Sequence, residues 1–279
     1  MKPSIPTAFN GFARLNWREH VFGLYHRDKV LALTVAFNLV LLVCMLVVMP
    51  FDSRLVMGMN PWIKPMKFAI SFALYVYTIA RLLEYLRLPN WGKKLIGWGV
   101  SVCVLAQMVC ITIQAARGTT SHFNFTTRTD ATISIIMDLM DPINGLFVVA
   151  LLILACLARY DVTRPSLWSI RLGLAIFLGA SLIGVVMVVN GAHSIGVADG
   201  GPGLPLMDWS TTGGDLRIAH FVGLHALQVL PVGAWLIAKK ESWNVSWQTA
   251  SVLVLAAAYA LVVLILYLQA VQGGSVLKV

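Results

Sequence analysis

The sequence predicts an all-α fold: a polytopic membrane bundle of seven transmembrane helices, preceded by an interfacial amphipathic helix. Only 12% of the 279 residues are charged and 58% are hydrophobic, whereas soluble domains carry about 25% charged residues. Seven apolar stretches are long enough, at about 20 residues each, to cross the hydrocarbon core of a bilayer. They lie at residues 29–49, 65–86, 95–116, 133–157, 167–190, 217–238 and 247–270.

These stretches are predicted to be helices rather than barrel strands. A strand that crosses a membrane is about half as long and alternates polar with apolar residues. The segment from Phe9 to Tyr25 mixes aromatic and charged residues, which predicts either a helix lying in the interface or a loosely ordered tail. The expected organisation is a cytoplasmic or interfacial segment at 1–28, a seven-helix domain at 29–272 and a short outer tail at 273–279.

Basic residues indicate the orientation of the bundle. If the N-terminus is cytoplasmic, two thirds of the Lys and Arg residues and the whole net charge of +9 fall on the cytoplasmic side, as the positive-inside rule requires. Tryptophans at predicted span ends, such as Trp62 outside and Trp98 inside, fit the aromatic belts of a bilayer. The lipid bilayer is therefore the expected partner, and no nucleic acid is needed to explain the positive charge.

Polar side chains inside the predicted spans concentrate in the outer half of the bundle. Polar groups are costly in lipid, so they usually face the bundle interior or a cavity. The sequence therefore predicts a polar pocket open to the outer face that binds a small polar or anionic ligand. The alternative is that these groups pair with one another as packing contacts. The predicted pocket residues are Lys64, Lys67, Gln114, Arg117, Asp138, Asp141, Asn190, Arg217 and Gln228.

Four histidines on or near the outer side are candidate metal ligands. Neutral imidazole is a common ligand of metal ions and of haem iron. Two of the four are five residues apart, about 140° around an ideal helix, so one ion cannot bind both unless the helix is distorted. Structural hydrogen bonding, substrate contact and proton relay are the alternatives. The candidates are His122, His193, His220 and His225.

Two acidic residues, Asp138 and Asp141, lie one turn apart in the fourth predicted span. Their pairing with basic residues of the same side is one explanation, and a functional role is the other. The suggested basic partners are Lys64, Lys67, Arg117 and Arg217. One outer-half cavity is predicted to be lined by His225, Gln228, Asp138, Asp141, Arg117 and His122.

The sixth predicted span carries two further local signals. Asp215 or Thr212 is expected to cap its first turn, because short polar side chains accept hydrogen bonds from free helix amides. Pro231 is expected to kink the same helix in the middle of the membrane.

Three classes of function fit these features. The first is a membrane protein that binds a metal ion or haem in a redox or sensory role. The second is a transporter or receptor for a small polar or anionic ligand, and the third is a metal-dependent membrane hydrolase. The sequence contains no phosphate-binding glycine loop and no nucleophile elbow, so ATP use and serine hydrolysis have no support.

Three strings of the sequence resemble those of an uncharacterised bacterial family of multi-pass inner-membrane proteins. They are Asn60–Phe68, Arg117–Asn124 and Gly213–Gln228. The resemblance extends over most of the chain from the second to the sixth predicted span. It implies a place in a bacterial inner membrane, with the C-terminus in the periplasm under the orientation given above, and it implies no particular activity.

Overall fold

The computed structural model describes residues 23–86, 88–157, 162–240 and 242–276. Within them, six helices are long and apolar enough to cross a membrane, and a bent pair of helices makes a seventh if it is counted as one span. The long helices are α1 Lys29–Val48, α2 Ile63–Tyr85, α3 Asn90–Arg117, α4 Arg128–Leu157, α5 Arg164–Asn190 and α8 Val245–Val271. The bent pair consists of α6 Leu216–Leu224 and α7 Ala226–Ala238.

The prediction of a helical bundle with apolar, membrane-type helices is confirmed. Most of the predicted interfacial segment, Phe9 to Tyr25, lies outside the described residues. One end of the bundle carries the connections 49–62, 118–127 and 191–215, and we call it the loop-rich end. The charge bias of the sequence predicts that this end is the outer one.

Helix ends follow local sequence signals. The Asp28 carboxylate accepts hydrogen bonds from two amides in the first turn of α1. Asp215 accepts a hydrogen bond from the Arg217 amide at 2.9 Å, which confirms its predicted capping role. Helices α3 and α5 end where Gly118 and Gly191 adopt φ angles of 70° and 64°, a conformation that other residues seldom adopt.

The helices pack in a simple order. Helices α1, α2 and α3 contact one another, α4 packs between α3 and α5, and α5 also packs against α6, α7 and α8. The largest apolar core joins α1, α2, α3, α4, α5 and α7, and its members include Leu31, Val76, Ile79, Val100, Val148, Leu151, Leu174 and Leu227. A second core lies towards the loop-rich end and includes Met45, Ala69, Met108, Ile111 and Met137.

The sixth predicted span bends at His225, six residues before Pro231, and the kink expected at Pro231 itself stays a prediction. Helices α6 and α7 meet there at 44°. The His225 amide lies 3.2 Å from the carbonyl oxygens of both Phe221 and Val222, so the turn is tightened before the chain reaches the proline. Pro231 lies inside α7.

A short strand pair closes the base of the long connection between α5 and α6. Strand β1 is Ser194–Ile195 and strand β2 is Gly214–Asp215, and the two pair antiparallel. Strand β2 also packs against the end of α8. The pairing places residue 193 beside the start of α6, where the amide of Leu216 donates to the His193 carbonyl at 3.0 Å.

Candidate functional site

The first two turns of α2 carry two lysines at the loop-rich end. Lys64 Nζ lies 3.2 Å from His122 Nδ1. Lys67 Nζ donates to the backbone carbonyls of Leu206 and Met207, at 2.9 and 3.0 Å. The two ammonium groups therefore join α2 to the loops that follow α3 and α5.

Two histidines bring those same loops together. The ring centroids of His122 and His193 are 6.3 Å apart, and the Phe123 ring centroid is 5.0 Å from that of His193. His193 Nδ1 lies 2.7 Å from Asp199 Oδ2. The same carboxylate accepts the amides of His193 and Ser194, at 2.9 and 2.8 Å. Asp199 thus fixes both the ring orientation and the path of the loop.

Both histidine rings are neutral near pH 7. Burial lowers the pKa of His122 well below its usual value, and the charge of Lys64 lowers it further. Burial also lowers the pKa of His193, although the hydrogen bond to Asp199 opposes this. Burial alone would raise the pKa of the Asp199 carboxyl, but the hydrogen bonds that it accepts hold the pKa well below the usual range. With its proton on Nδ1, His193 presents Nε2 as an acceptor. With Nδ1 unprotonated, His122 presents Nε2–H as a donor.

A guanidinium clamp ties the long loop to the start of α6. Arg217 NH2 lies 2.7 Å from Asp215 Oδ2, and its NH1 lies 3.2 Å from Asp208 Oδ2. NH2 also donates to the Asp208 carbonyl. The Asp215 side chain is 0% exposed and accepts the Ser210 amide at 2.8 Å. One guanidinium therefore neutralises two carboxylates that are largely shielded from solvent.

Two of the predicted pocket residues belong to a separate cluster at the end of α3. Arg117 NH1 lies 2.6 Å from Asp130 Oδ1 and 2.6 Å from Gln114 Oε1. Gln114 Nε2 donates to Asp130 at 2.9 Å, and Thr127 Oγ1 donates to it at 2.5 Å. These contacts join the end of α3 to the start of α4.

Other predicted residues lie deeper in the bundle and form two unconnected contacts. Gln107 Nε2 donates to Asp141 Oδ1 at 2.8 Å, between α3 and α4. His225 Nδ1 lies 3.3 Å from Gln228 Oε1, and Gln228 Nε2 donates to Thr78 Oγ1 at 3.1 Å, between α7 and α2. The residues expected around one cavity thus take part in several distinct contacts.

Two further candidates contact backbone. His220 Nδ1 lies 2.8 Å from the Ala180 carbonyl oxygen, which joins α6 to α5. Asn190 Nδ2 donates to the carbonyls of Ala192 and Ser194, at 3.2 and 3.3 Å. Both side chains thereby satisfy carbonyl groups near helix ends or helix contacts.

The arginines suggested as partners of Asp138 and Asp141 pair with other acids. Arg117 pairs with an acid in the first turn of α4, and Arg217 pairs with two acids at the base of the long loop. The suggested pairs with these two arginines are therefore wrong, and the reason is that Asp141 lies deeper in the bundle than the acids with which the arginines pair. Asp141 follows the first turn of α4 by 11 residues, about 16 Å along a helix axis.

The acids that complete these clusters were not among the predicted site residues. Asp130, Asp199 and Asp208 lie in loops or in a first helical turn, and Asp215 was expected only as a cap. The sequence indicated such acidic partners through the charge balance of the predicted outer side, where acidic and basic residues are equal in number. Equal numbers indicate that partners exist, but they do not assign them.

A metal site receives no support from this arrangement. Among the described residues, no three His, Cys, Asp or Glu side chains form a group that could hold a metal ion. The metal or haem interpretation of His122, His193, His220 and His225 stays a hypothesis without a ligand set.

The neutral histidines predict a dependence of stability on pH. A histidine side chain in the unfolded chain has a pKa of 6.5. Below that pH the unfolded chain binds protons at His122 and His193 that the folded chain does not. The free energy of unfolding should therefore fall as the pH drops below 6.5, by up to about 1.4 kcal/mol per pH unit for each ring. The charges of Lys64 and Arg217 oppose protonation of the histidine rings, and Asp199 favours it. Asp199 adds a loss of stability of its own only below pH 3.8, the pKa of its carboxyl in the unfolded chain.

Thermal unfolding of the detergent-solubilised protein between pH 5 and pH 8 measures this dependence. His122→Gln should flatten the profile because it removes one titrating ring. A wild-type profile that is flat between pH 5 and pH 6.5 would contradict the neutral assignment.

Comparisons of the chain with protein-family models, with curated proteins and with solved structures find no match. The resemblance of three sequence strings to an inner-membrane family remains an expectation. Function is therefore inferred from the contacts of the residues described above.

Proposed function

We propose that the loop-rich end is a receptor site for a small anion, of the carboxylate or phosphate type, bound between Lys64 and Lys67 on the outer face of the inner membrane. One observation supports this most. Within the described part of the chain, neither lysine ammonium has a carboxylate oxygen within 4.0 Å, whereas Arg54, Arg117 and Arg217 each form ion pairs. The positive charge of the two lysines is thus available for a ligand to neutralise.

The hydrogen-bond donors lead to the same proposal. Each ammonium carries three N–H donors; Lys64 directs one at His122, and Lys67 directs two at loop carbonyls. The remaining donors belong to positively charged ammonium groups. Hydrogen bonds from charged donors to an oxyanion are shorter and stronger than those from neutral donors. The two lysines are about 4.5 Å apart along the helix axis, close enough for one carboxylate or phosphate to contact both.

The part of the bundle that lies deeper than the two lysines favours a binding protein over a transporter. The rings of Tyr75 and Phe177 stack with centroids 5.5 Å apart, and the Tyr75 hydroxyl donates to Asn144 at 3.0 Å. The next turn of α2 adds Val76 and Ile79 to the apolar core. A transporter would have to open this half of the bundle to the other face, so we favour a receptor or sensor.

Anion titrations test the proposal. Purified wild-type protein in detergent is titrated with inorganic phosphate, sulfate and succinate, and binding is followed by calorimetry and by the shift of the thermal midpoint. Lys64→Gln and Lys67→Gln should each weaken binding by about tenfold or more, because a hydrogen bond to a charged group contributes about 1.5–3 kcal/mol.

Arg128→Gln is the matched control, since Arg128 is an exposed cation at the same end of the bundle, in the first turn of α4. It should leave affinity within about twofold, which is under 0.5 kcal/mol. Equal losses of anion affinity in all three variants would mean that binding depends only on general electrostatic attraction, and they would contradict the proposal. Failure of the wild-type protein to bind any of the three anions would count against it as well.

A further inference from the structure

A second feature lies at the opposite end of the bundle, in the turn between α7 and α8. A cavity of about 490 Å³ is lined there by Ser242, Trp243, Asn244 and Trp247. The Trp247 side chain is 67% exposed and the Trp243 side chain is 39% exposed. Two large indole rings thus border an open cavity at the ends of two apolar helices.

Two lysines lie just before the lining residues in the chain and are held against tryptophan faces. Lys239 Nζ lies 3.6 Å from the centroid of the Trp235 ring, and Lys240 Nζ lies 4.9 Å from that of Trp243. Both lysines are exposed. A cation over an indole face is attracted by the ring electrons, so the two ammonium groups are placed at the level of the rings rather than free in solvent.

The turn itself is fixed by its own hydrogen bonds. The Asn244 side chain accepts the Trp247 amide at 2.9 Å and so caps α8. Gln248 Nε2 lies 3.4 and 3.3 Å from the carbonyl oxygens of Lys240 and Trp243. These contacts hold the described residues on either side of position 241, Lys240 and Trp243, against the start of α8.

We propose that this cavity binds the headgroup of an anionic phospholipid. Indole rings prefer the level of the lipid headgroups, and lysines near a membrane surface attract anionic lipids. The charge bias of the sequence predicts that this end faces the cytoplasm, where the cavity meets the inner leaflet. The lipid phosphate contacts Lys239 and Lys240, and the glycerol region lies against Trp243 and Trp247. Glu241, which lies outside the described residues, leaves the local sequence with a net positive charge.

Lipid exchange into nanodiscs tests this site on the full chain. The protein is placed in phosphatidylcholine discs that contain increasing fractions of phosphatidylglycerol carrying brominated acyl chains, and tryptophan quenching reports its enrichment around the protein. The variant K239Q/K240Q should weaken the apparent affinity by about tenfold or more, since each lysine near a membrane surface contributes about 1 kcal/mol. Trp247→Leu should weaken it by a smaller factor while keeping an apolar side chain.

The matched control is K93Q/K94Q, which removes two lysines from the first turn of α3 at the same end of the bundle. It should change the affinity less than threefold. Equal weakening by both double variants, or full competition by millimolar inorganic phosphate, would overturn the headgroup site. Thermal midpoints and gel-filtration profiles in detergent establish that each variant is folded before its lipid affinity is compared.

Discussion

Replacing Arg217 with Gln is expected to lower the free energy of unfolding by about 3–5 kcal/mol, the usual cost of leaving a buried charge without its partner. The guanidinium lies 2.7 Å from the Asp215 carboxylate, whose side chain is 0% exposed, and 3.2 Å from that of Asp208. Glutamine keeps part of the hydrogen bonding but none of the charge. The loss should appear as a lower thermal midpoint of the detergent-solubilised protein.

Two further variants identify the cause of that loss. Arg54→Gln removes a comparable arginine whose side chain is 48% exposed, and solvent screening should make its loss of stability clearly smaller than that of Arg217→Gln. The double variant R217Q/D215N removes the uncompensated charge and should recover part of the stability. If R217Q costs no more than R54Q, the clamp contributes little and the loop is held by other contacts.

Replacing Gly214 with Ala is expected to cost about 3 kcal/mol, at the upper end of overpacking effects. A Cβ atom at this position would stand 1.9 Å from the Ala270 carbonyl oxygen and 2.8 Å from its carbonyl carbon. Those atoms are backbone, so no side-chain rotation relieves the contact. Strand β2 and the end of α8 would have to separate, which would disturb the base of the long loop.

Gly179 is the matched control for this substitution. It lies inside α5, and a Cβ there would meet nothing within 4 Å, so Gly179→Ala should be neutral or stabilise the protein by up to about 1 kcal/mol. Both variants are compared by thermal unfolding in the same detergent. A Gly214→Ala protein as stable as the wild type would contradict the close approach of β2 to α8.

Hydropathy predicted the helices because a long apolar stretch is a property of local composition. The predicted stretch 65–86 corresponds to α2 Ile63–Tyr85, and the stretch 167–190 corresponds to α5 Arg164–Asn190. The start of α4 was placed five residues late, at 133 rather than 128. Its first turn holds charged residues that pair with the end of α3, and an apolar window excludes such a turn.

The candidate site was predicted only in part. Lys64, His122 and His193 were all selected as polar residues of one side, and they do lie in neighbouring contacts. Their grouping with Asp138, Asp141 and Gln228 in one cavity stays a prediction; Asp141 is hydrogen-bonded to Gln107 and Gln228 to Thr78. Sequence position along a helix gives depth, but it does not give the rotation of one helix against the next, and hydrogen-bond partners depend on both.

The sequence by itself determined the helical, membrane-type architecture, the residues able to carry charge at each end, and the presence of a capping residue, Asp215 or Thr212, before the sixth span. Each follows from composition or from residues a few positions apart. Only the tertiary structure decided that Asp199 orients His193, that Arg217 neutralises Asp208, and that no carboxylate among the described residues pairs with the lysines of α2. These outcomes depend on the path of the 191–215 loop, which is set by the pairing of β1 with β2 and by the packing of β2 on α8. Contacts between segments so far apart in the chain leave no periodic signal in the sequence.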